Sequence, residues 1–326
     1  MASRPSLIAS ALAGACVAFI SPSTSRACSV CQCGDPLYNE QGAGSQGAES
    51  FNFYLEGSAF TKSSGVLADT PGEVPAPGDR DHSSDRSLTL YGSWTPAPRV
   101  TLTASVPFRW ITIDTKLADG ESDTANNRGF GDLAFYLTTV LWRDLEHHPT
   151  TWLEIRGMVK APTGQSDKKI DGAADPHIQV GTGSWDFGFG LSAGHHFEHF
   201  ALYSNVFYRI NTLGALHYQY GDAFLANLIA TSEALPVSAL GGVLLRPGVE
   251  LNFRYSGHDQ FEEDFYRSSG GAIFNVTPFV EIPFSRQADE RAPWLRLAAR
   301  MPLGDGQLFG QQHESFTYLV GVGVPF

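Results

Sequence analysis

Three thiols lie close together near the start of the chain, in the run Cys28-Ser29-Val30-Cys31-Gln32-Cys33. At this spacing Cys28, Cys31 and Cys33 can turn two or three sulfurs toward one point, which suits a soft metal ion, Cu(I) or Zn. In an oxidising compartment the same residues can instead form a disulfide between Cys31 and either Cys28 or Cys33, leaving one thiol over. Covalent haem is excluded, because no histidine follows the Cys-x-x-Cys pair. Histidines that could add imidazole ligands fall in two groups, His147-His148 and His195, His196 and His199. Converging on the cysteines, they would again favour copper or zinc; histidines solvated in turns are the plainer alternative.

A second set of ionisable residues recurs at alternate positions of apolar segments. It comprises Arg109, Arg156, Lys160, Arg209, Arg246, Arg254, Arg296 and Arg300, with Glu56, Glu154, Glu250 and Glu281. Such side chains are costly in lipid, so a polar lumen is their natural place. There they either line an anion-preferring path or brace neighbouring strands, and Glu154 with Arg156 and Glu250 with Arg254 are the expected pairs. No Gly-x-Ser-x-Gly elbow, phosphate loop or His-Glu-x-x-His helix occurs, so no enzyme is expected. A hydrolase assembled across strands would need no such motif.

The elements that must carry these residues are strands. One face of the segment from Val100 reads Val100, Leu102, Ala104, Val106, Phe108, Trp110; the other reads Thr101, Thr103, Ser105, Pro107, Arg109. Leu245, Pro247, Val249, Leu251, Phe253 and Tyr255 likewise alternate with Arg246, Gly248, Glu250, Asn252 and Arg254. Period two is what a sheet with one apolar and one polar face requires. The pattern predicts an all-β chain of about twelve antiparallel strands, near 50–61, 86–95, 99–113, 131–142, 150–161, 179–194, 200–210, 221–232, 241–255, 271–284, 293–302 and 314–326. In the eighth, Phe224, Leu225, Leu228 and Ile229 fit a helix nearly as well as a strand. Long Gly-, Asp- and Ser-rich connections alternate with short ones, as external loops alternate with periplasmic turns in a transmembrane barrel.

Composition agrees with that reading. The chain holds 34 glycines and 22 phenylalanines, with 17 % charged residues. No long apolar helix is expected after the first 27 residues, which read as a cleaved export signal: Arg4, an apolar core from about Leu7 to Ile20, and Ser25-Arg26-Ala27. Losing Arg4 and Arg26 would take the formal net charge from -12 to -14, which argues against nucleic acid as partner. The organisation expected is therefore 1–27 signal, 28–48 a periplasmic cysteine-bearing tail or plug, and 49–326 an outer-membrane barrel of a Gram-negative cell. The last strand carries Phe316, Tyr318, Val320, Val322, Val324 and Phe326 on one face and resembles the signal read by the barrel-assembly machinery. Trp94, Trp110, Trp142, Trp152, Trp185 and Trp294 fall near strand ends or flanks, where an interfacial girdle places most of them, while some could instead line a pocket for aromatic ligands.

Three phrases occur in order: Gly129-Phe130-Gly131-Asp132-Leu133, Lys160-Ala161-Pro162-Thr163-Gly164 and Val180-Gly181-Thr182-Gly183-Ser184-Trp185-Asp186. They resemble the outer-membrane transporter family named after the meta-pathway of phenol degradation. The resemblance implies a barrel passing small molecules, often hydrophobic or aromatic, with no catalytic residues. It leaves two functions to compare, a small-molecule channel and a barrel-anchored periplasmic metal or redox module using the cysteines.

Overall fold

The computed structural model describes residues 50–63, 82–116, 122–146, 149–169, 176–238, 241–262, 264–265, 269–285, 292–303 and 313–326. The expected signal, Cys28, Cys31, Cys33 and the pair His147-His148 lie outside them. Twelve strands cross the membrane: β1 (Ser50–Ser63), β2 (His82–Ala97), β3 (Val100–Lys116), β4 in two pieces (Ser122–Phe130 and Leu133–Arg143), β5 (Thr151–Ala161) and β6 (Asp186–His196). They continue as β7 (Phe200–Ile210), β8 (Ala223–Ser232), β9 (Val243–Ser256), β10 (Gly271–Pro283), β11 (Trp294–Pro302) and β12 (Thr317–Pro325). Among the described residues no helix is long and apolar enough to cross a membrane.

Each strand pairs antiparallel with the next, and β1 pairs with β12 from Asn52↔Pro325 to Ala59↔Tyr318. The seam ends where Phe51 and Phe326 exchange both backbone hydrogen bonds, at 3.3 and 2.7 Å. Closure leaves no sheet edge facing hydrocarbon, where each unpaired backbone group would cost several kcal/mol. The short connections and both ends of the described barrel lie at one rim, where outer-membrane barrels have their periplasmic turns.

Alternation sorts the residues as the pattern predicts. Phe51, Phe53, Leu55, Leu88, Leu90, Leu102, Phe135, Leu137, Val320 and Phe326 are exposed on the outer face. Ions and amides point inward. Asn205, Asn227, Asn252 and Asn275 stand in register on β7 to β10 and form an inner-wall ladder, with Asn227 Nδ2 donating to Asn205 Oδ1 at 2.9 Å and Asn252 Nδ2 to Asn227 Oδ1 at 2.7 Å. Inward glycines make room for large rings: a Cβ at Gly194 would overlap the Trp152 indole, and one at Gly248 the Phe279 ring. Through these gaps Trp152, Tyr203, Ile229 and Phe279 join into one apolar band over β5 to β10.

The ambiguous eighth segment is a regular strand, β8, because its inward Leu225 and Ile229 meet that interior. Three expectations need correction. Of the segment 114–130, read as loop, 114–116 and 122–130 continue the β3–β4 hairpin, where polar residues predominate and no apolar period marks a strand. β6 begins at Asp186 rather than 179, since Gln179 to Trp185 belong to a loop folded into the lumen. Trp152 and Trp294 do not join the girdle; their parity turns them inward, Trp152 being 4 % exposed and Trp294 stacking on Tyr54.

Candidate functional site

The break at Gly131-Asp132 changes which residues of β4 face the lumen. Before it Asn127 is the inward residue; after it Asp132, Ala134 and Tyr136 are. Asp132 thereby becomes a buried acceptor for the loop between β5 and β6. Its Oδ1 accepts from the Gly164 N–H at 2.9 Å, and its Oδ2 from the Thr182 N–H at 2.8 Å, the Thr182 hydroxyl at 2.7 Å and Lys160 Nζ at 3.0 Å. Lys160 also meets Asp186 at 2.5 Å and the Thr182 hydroxyl. Gly164 lies against the backbones of Gly131 and Gly181; a Cβ there would come within 2.8 Å of both. The three sequence phrases thus build one structure, a loop sewn to the inner wall. Its Ile178 and Val180 pack on Ile111 and Ile113 near the outer mouth.

Below this seat several of the remaining charges are arranged in pairs. Arg109 bonds Asp85, and Arg296 bonds Glu250 while lying 3.8 Å from Glu281 and 4.0 Å from the Phe279 ring centre. Arg246 adds a contact to Glu281 at 3.6 Å, and the Tyr54 hydroxyl donates to Glu56 at 3.0 Å. All ten predicted lumen residues have inward parity: Arg109, Glu154, Arg156, Lys160, Arg209, Glu250, Arg296 and Arg300 are buried, Arg246 and Arg254 partly so. The expected pairs differ. Glu250 pairs with Arg296, two strands away, and Arg156 Nε donates to Thr138 at 3.0 Å. Arg296 stands in register beside Glu281 on β10 and reaches past that strand to Glu250, so its partners come from across the wall. Glu154 Oε1 has no hydrogen-bond partner among the described residues. Sequence reasoning missed Asp85, Asp132, Asp186 and Tyr54, whose roles depend on register and on the β4 break.

Between the loop seat and the paired charges a cavity of about 90 Å3 remains. Phe60, Tyr91, Tyr136, Met158 and Leu319 supply its apolar lining, Arg109, Arg209, Arg300 and Lys160 its cations, and Glu56, Asp85 and Asp132 its carboxylates, of which Asp85 holds Arg109. At the outer mouth the 211–222 and 257–270 loops are tied by Asp259, which accepts from the Tyr218 hydroxyl at 2.6 Å and the Gly221 N–H at 2.7 Å.

The described histidines that could add imidazole ligands, His195, His196 and His199, diverge. His196 faces inward, edge-on to Trp152 and 3.1 Å from the Tyr203 hydroxyl. His195, its neighbour on β6, points outward and bonds Thr151 at 2.7 Å, while His199 is exposed in the turn. Among the described residues no group of three His, Cys, Asp or Glu is placed to hold a metal. The adjoining turn is organised by carboxylates instead. Hydrogen bonds from the Thr150 hydroxyl and from the Thr151, Leu145 and Thr150 N–H groups hold the Asp144 pKa down to about 2, and Arg143 and Arg99 hold Glu146 below the usual range.

A closed twelve-stranded barrel with an apolar outer belt, charged lumen and short turns at one rim is an outer-membrane β-barrel. Residues 81–272, more than half the chain, match the family described as "Putative MetA-pathway of phenol degradation", and the chain belongs to that family. Its fold is similar to an outer membrane channel from Pseudomonas putida F1, at 14% identity and TM-score 0.62, covering 86% of this chain and 97% of that one. Looser likenesses include the CymD monoaromatic hydrocarbon channel (10% identity, TM-score 0.41, covering 86% and 90%). A Pseudomonas aeruginosa FadL homologue is comparable (10% identity, TM-score 0.37, covering 85% and 89%). No curated protein matches the chain in sequence.

Proposed function

We propose that this barrel is a channel that passes small molecules, aromatic ones preferred, across the outer membrane. The observation carrying it is the lumen cavity, whose lining combines the rings of Tyr91 and Tyr136 and the Met158 thioether with the guanidinium groups of Arg109, Arg209 and Arg300. Sites that admit small ligands combine such a lining with few polar groups that fix orientation. An aromatic solute with one hydroxyl or carboxylate suits both kinds of lining, and the family description, phenol degradation, supports the same class. The P. putida barrel of similar fold is itself described as an outer membrane channel.

The test is solute flux into liposomes holding refolded protein, comparing 4-hydroxybenzoate with glucose. Faster flux of the aromatic acid, reduced by Tyr136→Ala together with Met158→Ala, is expected. Equal rates for the two solutes, or rates indifferent to the lining, would refute the preference.

A further inference from the structure

On the outer wall, near the external rim, Arg86, Trp110 and Arg128 stand side by side in register on β2, β3 and β4. All three are exposed on the outward face. Toward the membrane the surface is apolar: Leu88, Phe108 and Phe130, with Phe108 packed on Trp110 at 4.6 Å and edge-on to Phe130 at 5.0 Å between ring centres. Toward the outside it is polar, with the Thr112 hydroxyl donating to Asn126 at 2.8 Å and the Thr124 hydroxyl to Asp114 at 2.7 Å. The arginines therefore sit on the line where acyl chains give way to headgroups. Neither has an ion pair or hydrogen bond among the described residues, although the chain's net charge is -12 and the inward ion pairs bind their arginines tightly.

We infer that Arg86 and Arg128, with Trp110 between them, form a binding site for the phosphorylated headgroup of an outer-leaflet lipid. Strands in a sheet are spaced about 4.8 Å apart, so the two arginines start roughly 10 Å apart, and their side chains can close on one phosphate or take two neighbouring ones. Guanidinium presents its donors as a planar fork that matches phosphate oxygens, and tryptophan is suited to the level of the headgroups. The row continues over Ala59 to the exposed Tyr318, which extends the same interfacial shelf. A lipid rather than free phosphate is the ligand because the aromatic step directly beneath the arginines receives acyl chains.

The test uses the refolded full chain in detergent with diphosphorylated lipid A, its dephosphorylated form, and inorganic phosphate. Binding is read by native mass spectrometry and by the shift in thermal transition. Diphosphorylated lipid A should bind and raise the transition, and R86Q/R128Q should weaken binding about tenfold or more, as expected when charge-assisted bonds are lost. R86K/R128K should keep part of the affinity, and K169Q, an exposed loop change, should keep all of it. Equal binding by wild type and R86Q/R128Q, equal binding of the dephosphorylated lipid, or full competition by millimolar inorganic phosphate would each overturn the assignment.

Discussion

Lys160 lies between Asp132 and Asp186 with little water in reach, so its removal would leave two carboxylates facing one another and the inner loop without its anchor. Breaking a buried pair from one side typically costs about 3–5 kcal/mol. Lys160→Met should therefore lower the urea midpoint of the refolded barrel by a matching amount, while Lys169→Met leaves it unchanged. Asp144 is the counterpart at the periplasmic rim. Its folded pKa, near 2, is below the ordinary value of about 3.9, so its hydrogen bonds stabilise fully above about pH 4 and are lost as pH falls through 2. Asp144→Asn should melt below wild type at pH 7 and level with it near pH 2; a gap that persists in acid would contradict this. Neither role was legible in the residues alone. Lys160 could be assigned to the lumen by parity, but its partner Asp132 faces inward only because of the break at Gly131-Asp132.

At the scale of elements, alternation was enough to place all twelve strands, with only the eighth ambiguous between strand and helix, and the direction of nearly every side chain. It failed where the surroundings were polar on both faces, in the hairpin piece Ser122–Phe130, and where a loop rather than a neighbouring strand covered an apolar run, at Ile178 and Val180. Inward glycines carried a signal that alternation ignores: Gly248 and Gly194 sit at polar-face positions because rings from adjacent strands occupy the space a side chain would fill. Gly248→Val should displace the Phe279 ring and cost about 1–3 kcal/mol, the usual penalty of overpacking. Adding Phe279→Ala should recover part of that loss, and a purely additive pair, measured as a double-mutant cycle in urea, would show that the ring does not rest on the glycine.

At the scale of the molecule, the wall divides two solvents. The outer face meets lipid, the inner face holds bonded charges, an asparagine ladder and an apolar band, and an inward loop narrows what remains. The cysteine run, the strongest chemical signal in the chain, lies outside the described residues, so its sulfurs and the turn histidines are not placed relative to one another. Tyr136 and Leu137 give the sharpest test of the whole, being neighbours on β4 that point to the lumen and to lipid. In planar bilayers the refolded protein should show small discrete conductance steps that grow in Tyr136→Ala and are unchanged in Leu137→Ala. Absence of steps, or equal effects of the two substitutions, would contradict the account of a channel through this lumen.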